Sequence, residues 1–277
     1  MFIFIKNYLT MAYSSSNHSQ WQWKSTPDGE FLTCELLKDW CHGFFSVDFA
    51  GQSPFLLNKY LDESAQVFRL KQIHSNILFS TSAVEINKDE QGNMTYSQGD
   101  GIITEKAGES VWVASADCTP VLIADHTLGK VCAIHSGWRG TAANIVPDAI
   151  ALFDKLGSKK EDLLFALGPA INGEVYQVDI PVALKVLSTI FEGAEQEILE
   201  QGYNSPHKVI LADEQEGKVR LDVTQVIYAQ IRQKGMDKEQ IAIAPYCTYQ
   251  TPERFFSYRR THQKNVQWSG IISHSGR

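Results

Sequence analysis

The sequence predicts an α+β fold, mixed β-sheets with hairpins flanked by helices. Three features carry that expectation. Short β-branched apolar runs of strand length recur along the chain. Segments with a helical apolar period are interleaved with them. Two neighbouring runs, VLIAD and VCAIH, are separated only by a turn-forming string, which makes a hairpin rather than a crossover. Interleaving alone would suggest a doubly wound parallel sheet, and the hairpins make the sheets mixed.

Between residues 31 and 80 the runs FLTCELL, HGFFSVDF and VFRLKQIHSNILFS read as strands, with a helix expected over Leu56 to Ser64. Residues 85 to 99 are polar and turn-rich and are expected to form a surface loop. SVWVASADC, VLIAD and KVCAIH are strands. With the turn centred near Leu128, Asp125 would face Val131 and Val121 would face His135. Cys118 would then lie just beyond the open end, beside His135. After SGWRGTAAN a helix is expected through Ile145, Ala149, Leu152, Phe153 and Leu156, stopped at Gly157, capped by Asn144 and tolerating Pro147 in its first turn. DLLFALGPAI is a buried strand and a turn. IPVALKVLSTIFEGA is a helix, and VRLDVTQVIYAQIRQKG is a strand running into an amphipathic helix. QIAIAPYCTYQTPERFFSYRRTHQ reads as a strand, a loop and a polar end.

A chain of 277 residues that is 43% hydrophobic can bury roughly 75% of its unfolded surface. No linker or repeat divides it, so residues 26–277 are expected to be a single catalytic domain. Residues 1–25 are expected to be a flexible extension. In that extension Lys6 breaks the first apolar run too early for a secretory signal, and Met11 offers a second start. The formal charge of -7 and the lack of a basic stripe exclude nucleic acid as the main partner. No stretch approaches the roughly 20 apolar residues of a membrane helix. Five cysteines, an odd number at irregular spacing, make a poor disulfide framework and fit a reducing, cytoplasmic compartment.

His74 and His135 each end an apolar run. Either alone reads more readily as a half-buried histidine satisfied by a carbonyl, and Cys118 alone as a small buried hydrophobe. Together they supply three ligands of mixed N/S type and leave a fourth tetrahedral position for water or substrate, the count of a catalytic zinc site. Nothing local ties His74 to the hairpin, and no CxxC or HExxH spacing is present.

The strings KQIHSN, GDGIIT, SADCTPVLIAD, AIHSGWRGT, LGPAI…VYQV and CT…RFFSYRR, in this order over about residues 70 to 260, resemble the YfiH family, which also carries laccase-like and polyphenol oxidase labels. The resemblance implies His74, Cys118 and His135 as zinc ligands. It also implies phosphorolysis of adenosine, guanosine, inosine and methylthioadenosine, with purine nucleosides and phosphate as partners, and adenosine deamination. The fold it implies is also similar to the deamidase domain of cytotoxic necrotizing factor toxins. The chain departs from the family pattern in two places: HGFFSVDFAGQ has Val47 and Asp48 and no arginine after HGFF, and GPAI continues NGEVYQV without cysteines.

Zinc lowers the pKa of bound water to about 7, which suits attack on C6 of a purine. Asp117 is the candidate general acid or base, or a brace for its loop. Arg139, in GWRGT ahead of a helix N-terminus, is the candidate phosphate partner. Arg259 and Arg260 are weaker candidates, and Trp138 is placed to stack on a base or to pack. Three rival readings use the same residues: a thiol hydrolase or deamidase with Cys118 as nucleophile and His135 as base, a copper polyphenol oxidase, and a metal-stabilised binding protein without turnover. Copper can occupy soft Cys/His ligands in vitro, but multicopper sites favour HxH pairs and this chain has none.

Overall fold

The computed structural model describes residues 20–88, 91 and 94–276. The strands β1 (Trp21–Thr26), β2 (Gly29–Cys34) and β3 (His42–Phe45) open it as a meander. Next come α1 (Pro54–Leu57), β4 (Gln66–Arg69), β5 (Leu78–Ser80), β6 (Ile86–Lys88), β7 (Met94–Tyr96), β8 (Gly101–Ile103) and β9 (Glu109–Ser115). The predicted hairpin is β10 (Thr119–Asp125) and β11 (Val131–Ser136), followed by α2 (Trp138–Ala142) and α3 (Ile145–Lys155). The second half runs β12 (Leu163–Leu167), β13 (Gln177–Asp179), α4 (Ile180–Leu187), α5 (Glu195–Asn204), β14 (Ile210–Ala212), β15 (Lys218–Leu221) and α6 (Val223–Gln233). It closes with β16 (Ile241–Ile243), α7 (Tyr258–Thr261) and β17 (Gln267–Ile272).

Two six-stranded sheets form the frame, ordered β1-β2-β3-β17-β9-β4 and β16-β12-β10-β11-β8-β5. The pairs β4–β9, β5–β8 and β12–β16 are parallel and the others in these sheets antiparallel, so the sheets are mixed as expected. Side chains alternate across each strand. Phe44, Val111, Val113 and Ile271 of the first sheet therefore meet Leu122, Ala124, Ala133 and Ala166 of the second. From the second sheet's far face Val121, Ile123, Ile134 and Phe165 pack on Ile145, Ala149 and Phe153 of α3 and on Val226 and Ile227 of α6. The hairpin strands are covered on both faces, which explains their continuous apolar runs. None of the helices among the described residues is long and apolar enough to cross a membrane.

Several local expectations shift. In the hairpin Val121 faces Ile134, and Pro120 faces His135, a register one residue from that expected. The Asp125 N–H donates to the Lys130 carbonyl, which leaves four residues, 126–129, in the turn; there the Asp125 carboxylate accepts from the backbone N–H groups of Thr127 and Leu128, while Gly129, at φ 67°, turns the chain back. Asn144 sits at the N-terminus of α3 in a left-handed conformation but makes no side-chain cap. The helix expected over 56–64 begins earlier and stops at Leu57, with a 3-10 turn after it. Buried Asn58 ends it by donating to the carbonyls of Asp62 and Ala65. The expected loop 85–99 contains a small exposed hairpin, β6–β7. The N-terminal boundary also moves: Trp21–Thr26 is a paired strand, and the rest of the expected extension, through residue 19, lies outside the described residues. Past the polar end expected through Gln263 the chain forms β17, which is fully buried between β3 and β9.

Replacing Ile271, fully buried in β17, by alanine is expected to cost about 2–5 kcal/mol, read as a lower urea midpoint. A loss below about 1 kcal/mol, the range of surface substitutions, would mean that β17 does not carry the core.

Candidate metal centre

The β10–β11 hairpin delivers two of the candidate ligands. His135 is the fifth residue of β11 and Cys118 directly precedes β10, where Thr119 pairs with Ser136. The turn presenting Cys118 is made by Asp117, whose φ of 97° is unusual for a residue with a side chain. Three contacts hold that turn. Thr248 Oγ1 donates to Asp117 Oδ1 (2.7 Å), the Arg259 backbone N–H donates to Oδ2 (2.7 Å), and the Ile171 N–H donates to the Asp117 carbonyl (2.9 Å). Both carboxylate oxygens thus brace the loop.

His74 arrives from the loop after β4 and also has a left-handed backbone, φ 61°. That loop is folded around Asp100, a fully buried carboxylate immediately before β8. Its Oδ1 accepts from the His74 N–H (3.0 Å). Its Oδ2 accepts from the Ser75 N–H (2.7 Å), the Ser75 hydroxyl (2.8 Å) and the Ile73 N–H (3.3 Å). Oδ1 also lies 2.9 Å from His135 Nδ1. Burial works against ionisation of Asp100, but the hydrogen bonds from His135 and Ser75 outweigh it and bring its pKa down to about 2. An ionised carboxylate only accepts, so Nδ1 of His135 carries a hydrogen, and Nε2 is the nitrogen that would ligate a metal once the metal displaces its proton.

The ligand atoms of His74, Cys118 and His135 lie within 4.8 Å of one another. The two imidazoles meet edge to face, 4.8 Å between centroids. Tetrahedral zinc, with bonds of about 2.0–2.3 Å, holds its donors somewhat closer than this limit, so small side-chain rotations close the triad on an ion. A Cβ at position 137 would come 2.6 Å from Cys118 Sγ, so only glycine leaves room for the thiolate. Burial opposes charge on both Cys118 and His135, but their mutual attraction prevails, lowering the thiol and raising the imidazole. The cysteine is therefore readily available as a thiolate ligand. His135 is buried, Cys118 half-buried and His74 exposed, which leaves the site open on the His74 side.

Arg139 precedes the N-terminus of α3, as expected, but is itself part of a short helix. It lies within the five-residue α2, exposed, its guanidinium 4.4 Å from the ring of its neighbour Trp138. Arg259 lies over the Tyr176 ring at 4.7 Å and donates to the Gln177 carbonyl. Arg260 donates to the carbonyls of Thr248, Tyr249 and Phe255, which makes it a brace for the C-terminal loop. Asp100, Gly137 and Tyr176 are additions to the site read from sequence. Asp100 stood within GDGIIT, where an acid leading directly into an all-apolar strand signals a buried carboxylate that requires partners. Burial, together with the charge of nearby Cys118, pushes the Tyr176 phenol up to about 12.

A family model described as multi-copper polyphenol oxidoreductase laccase matches residues 55–273. A protein of Synechocystis sp. named purine nucleoside phosphorylase is 46% identical over 92% of this chain and 97% of its own length. One of Bacteroides thetaiotaomicron with the same name is 32% identical over 63% of this chain and 61% of its own. Among solved structures, YlmD from Geobacillus stearothermophilus superposes with a TM-score of 0.72 over 91% of this chain and 99% of its own, at 20% identity. Bacillus licheniformis YfiH gives a TM-score of 0.70 over 91% and 98%, also at 20% identity. These two establish the shared fold.

Asp100→Asn preserves volume but replaces an acceptor by an amide that cannot receive all five donors. Zinc affinity measured by chelator competition is expected to fall about 10–100-fold. An unchanged affinity would remove Asp100 from the support of the ligands.

Proposed function

The chain belongs to the family described as multi-copper polyphenol oxidoreductase laccase, and we propose that it is a zinc-dependent purine nucleoside phosphorylase with His74, Cys118 and His135 as the metal ligands. The observation that carries the metal reading is the convergence of one thiolate and two imidazoles on a rim open to solvent, with a buried carboxylate orienting one of the imidazoles. The names of the relatives carry the substrate reading. The older copper reading fits less well, because a multicopper enzyme needs several ion sites. Among the described residues this triad is the single group of three or more His, Cys, Asp or Glu side chains gathered closely enough to hold one.

In the proposed reaction an oxygen of phosphate bonds to C1′ of the nucleoside as the glycosidic bond to the purine breaks, and the departing base takes a proton. A bound zinc ion supplies a Lewis acid and water of lowered pKa beside the substrate. Arg139, an exposed cation two residues after Gly137, is assigned to phosphate. Asp117, flanking Cys118, is assigned to proton transfer in addition to the loop-bracing role of its two oxygens toward Thr248 Oγ1 and the Arg259 N–H. Adenosine, guanosine, inosine and methylthioadenosine are the proposed substrates. Adenosine deamination is proposed as a second activity, with hydroxide adding at C6 and ammonia leaving. The loss of arginine after HGFF leaves the anion contacts to other cations of this chain.

Incubating metal-analysed protein with adenosine, with and without phosphate, tests this. Adenine formed only with phosphate is the expected result, with inosine reporting deamination. Cys118→Ala should lower either rate by about 100-fold or more, the scale of losing a metal-held catalytic group. Turnover that survives complete chelation would favour the thiol hydrolase. No product from a zinc-replete sample across the four nucleosides would end the purine assignment.

A further inference from the structure

A cavity of about 380 Å³ opens at the edge of the first sheet. Its lining includes Gln52, Ser53, Arg69, Lys264, Asn265 and Trp268. None of the residues that hold or brace the metal ligands lines it. No lining residue is acidic, although the whole chain carries 32 acidic against 25 basic residues. Local charge here runs opposite to the molecule's.

Arg69 is the core of this cavity. Its guanidinium carbon lies 4.7 Å from the ring centroid of Tyr96 and 4.7 Å from that of Trp268. Its Nε is buried without a hydrogen-bond partner, and no carboxylate among the described residues pairs with it. The aromatic rings offset part of the cost of drawing the cation out of water, but a ring face is a weaker partner than an oxyanion. Burial correspondingly pulls the pKa of Arg69 below the usual guanidinium range. Arg69 is only half-buried and lines the cavity wall. Lys264 adds a second, exposed cation, while Ser53, Gln52 and Asn265 can donate further hydrogen bonds. Phe256 and Trp268 add apolar surface. The volume falls in the range of small-molecule sites, about 300–1,000 Å³, more than a bare inorganic ion fills.

We propose that this cavity is a binding site for a small organic oxyanion, a phosphate monoester or carboxylate, held by Arg69 and Lys264 with its organic part against Phe256 and Trp268. The site stands independently of the reaction at the metal centre.

Phenyl phosphate and benzoate, with benzyl alcohol as the uncharged control, are the probes for calorimetric titration of the zinc-loaded protein. Saturable binding of at least one anion is expected, and no binding of benzyl alcohol. Phenyl phosphate binding the tighter would identify the ligand class as phosphate monoesters, and benzoate the tighter as carboxylates. Arg69→Met should weaken binding about tenfold or more, with zinc content unchanged. Lys264→Glu, a change at an exposed side chain that does not challenge folding, should weaken it several-fold. No saturable binding of either anion, equal binding of benzyl alcohol, or anion binding that persists at full strength in both variants would overturn the proposal.

Discussion

The candidate site depends on one buried carboxylate. Asp100 has no exposed surface, and an ion so placed persists only when its lone pairs are filled. Three backbone N–H groups, one hydroxyl and one imidazole fill them. The three N–H groups belong to consecutive residues, so the carboxylate forces the chain to curl around it, and His74 takes its left-handed backbone in that curl. The imidazole belongs to the opposite strand. A single side chain thereby fixes the position of one ligand and the tautomer of another.

The arrangement ties the site to the packing of the whole molecule. His74 follows β4, an edge strand of the first sheet, whereas Asp100, His135 and Cys118 are carried by β8, β11 and β10 of the second. The apolar layer of Phe44, Val111, Leu122, Ala133 and Ile271 that holds the two sheets together also sets the distance between the ligands. On the far side Asp117 connects the Cys118 turn to the C-terminal loop through Thr248 and Arg259. Small residues keep these approaches short: alanines where the sheets face one another, and Gly137 where the backbone passes the thiolate.

The two sites differ in how their charge is balanced. At the metal centre the thiolate, the imidazoles and Asp100 compensate one another, and a dication would join a set already biased toward negative charge. Around Arg69 the protein supplies cations and aromatic faces but no anion. The first arrangement suits a metal and the second a ligand that brings its own negative charge.

Local patterning alone determined much of this protein. The β-branched runs identified the hairpin strands and the helical periods marked α3, α4 and α6, whereas His74, Cys118 and His135, each at the end of an apolar run, became a candidate set through the family resemblance. The hairpin register was misplaced by one residue because Asp125 shapes its turn with its own side chain, a choice that the apolar pattern does not encode. The C-terminal strand lies beyond the last patterned segment, which ended at Gln263, and its Gln267 and Ser269 are buried between neighbouring strands. Asp100 was legible as a residue but not as a hub, since its partners are 25 to 35 positions away. What the sequence by itself determined was therefore the set of elements and the candidate donor types, which short-range periodicity and donor chemistry specify. Which carboxylate orients the ligands, which arginine is a brace and which lacks an anion were decided only by tertiary structure, because burial and hydrogen-bond satisfaction arise from contacts between segments far apart in the chain.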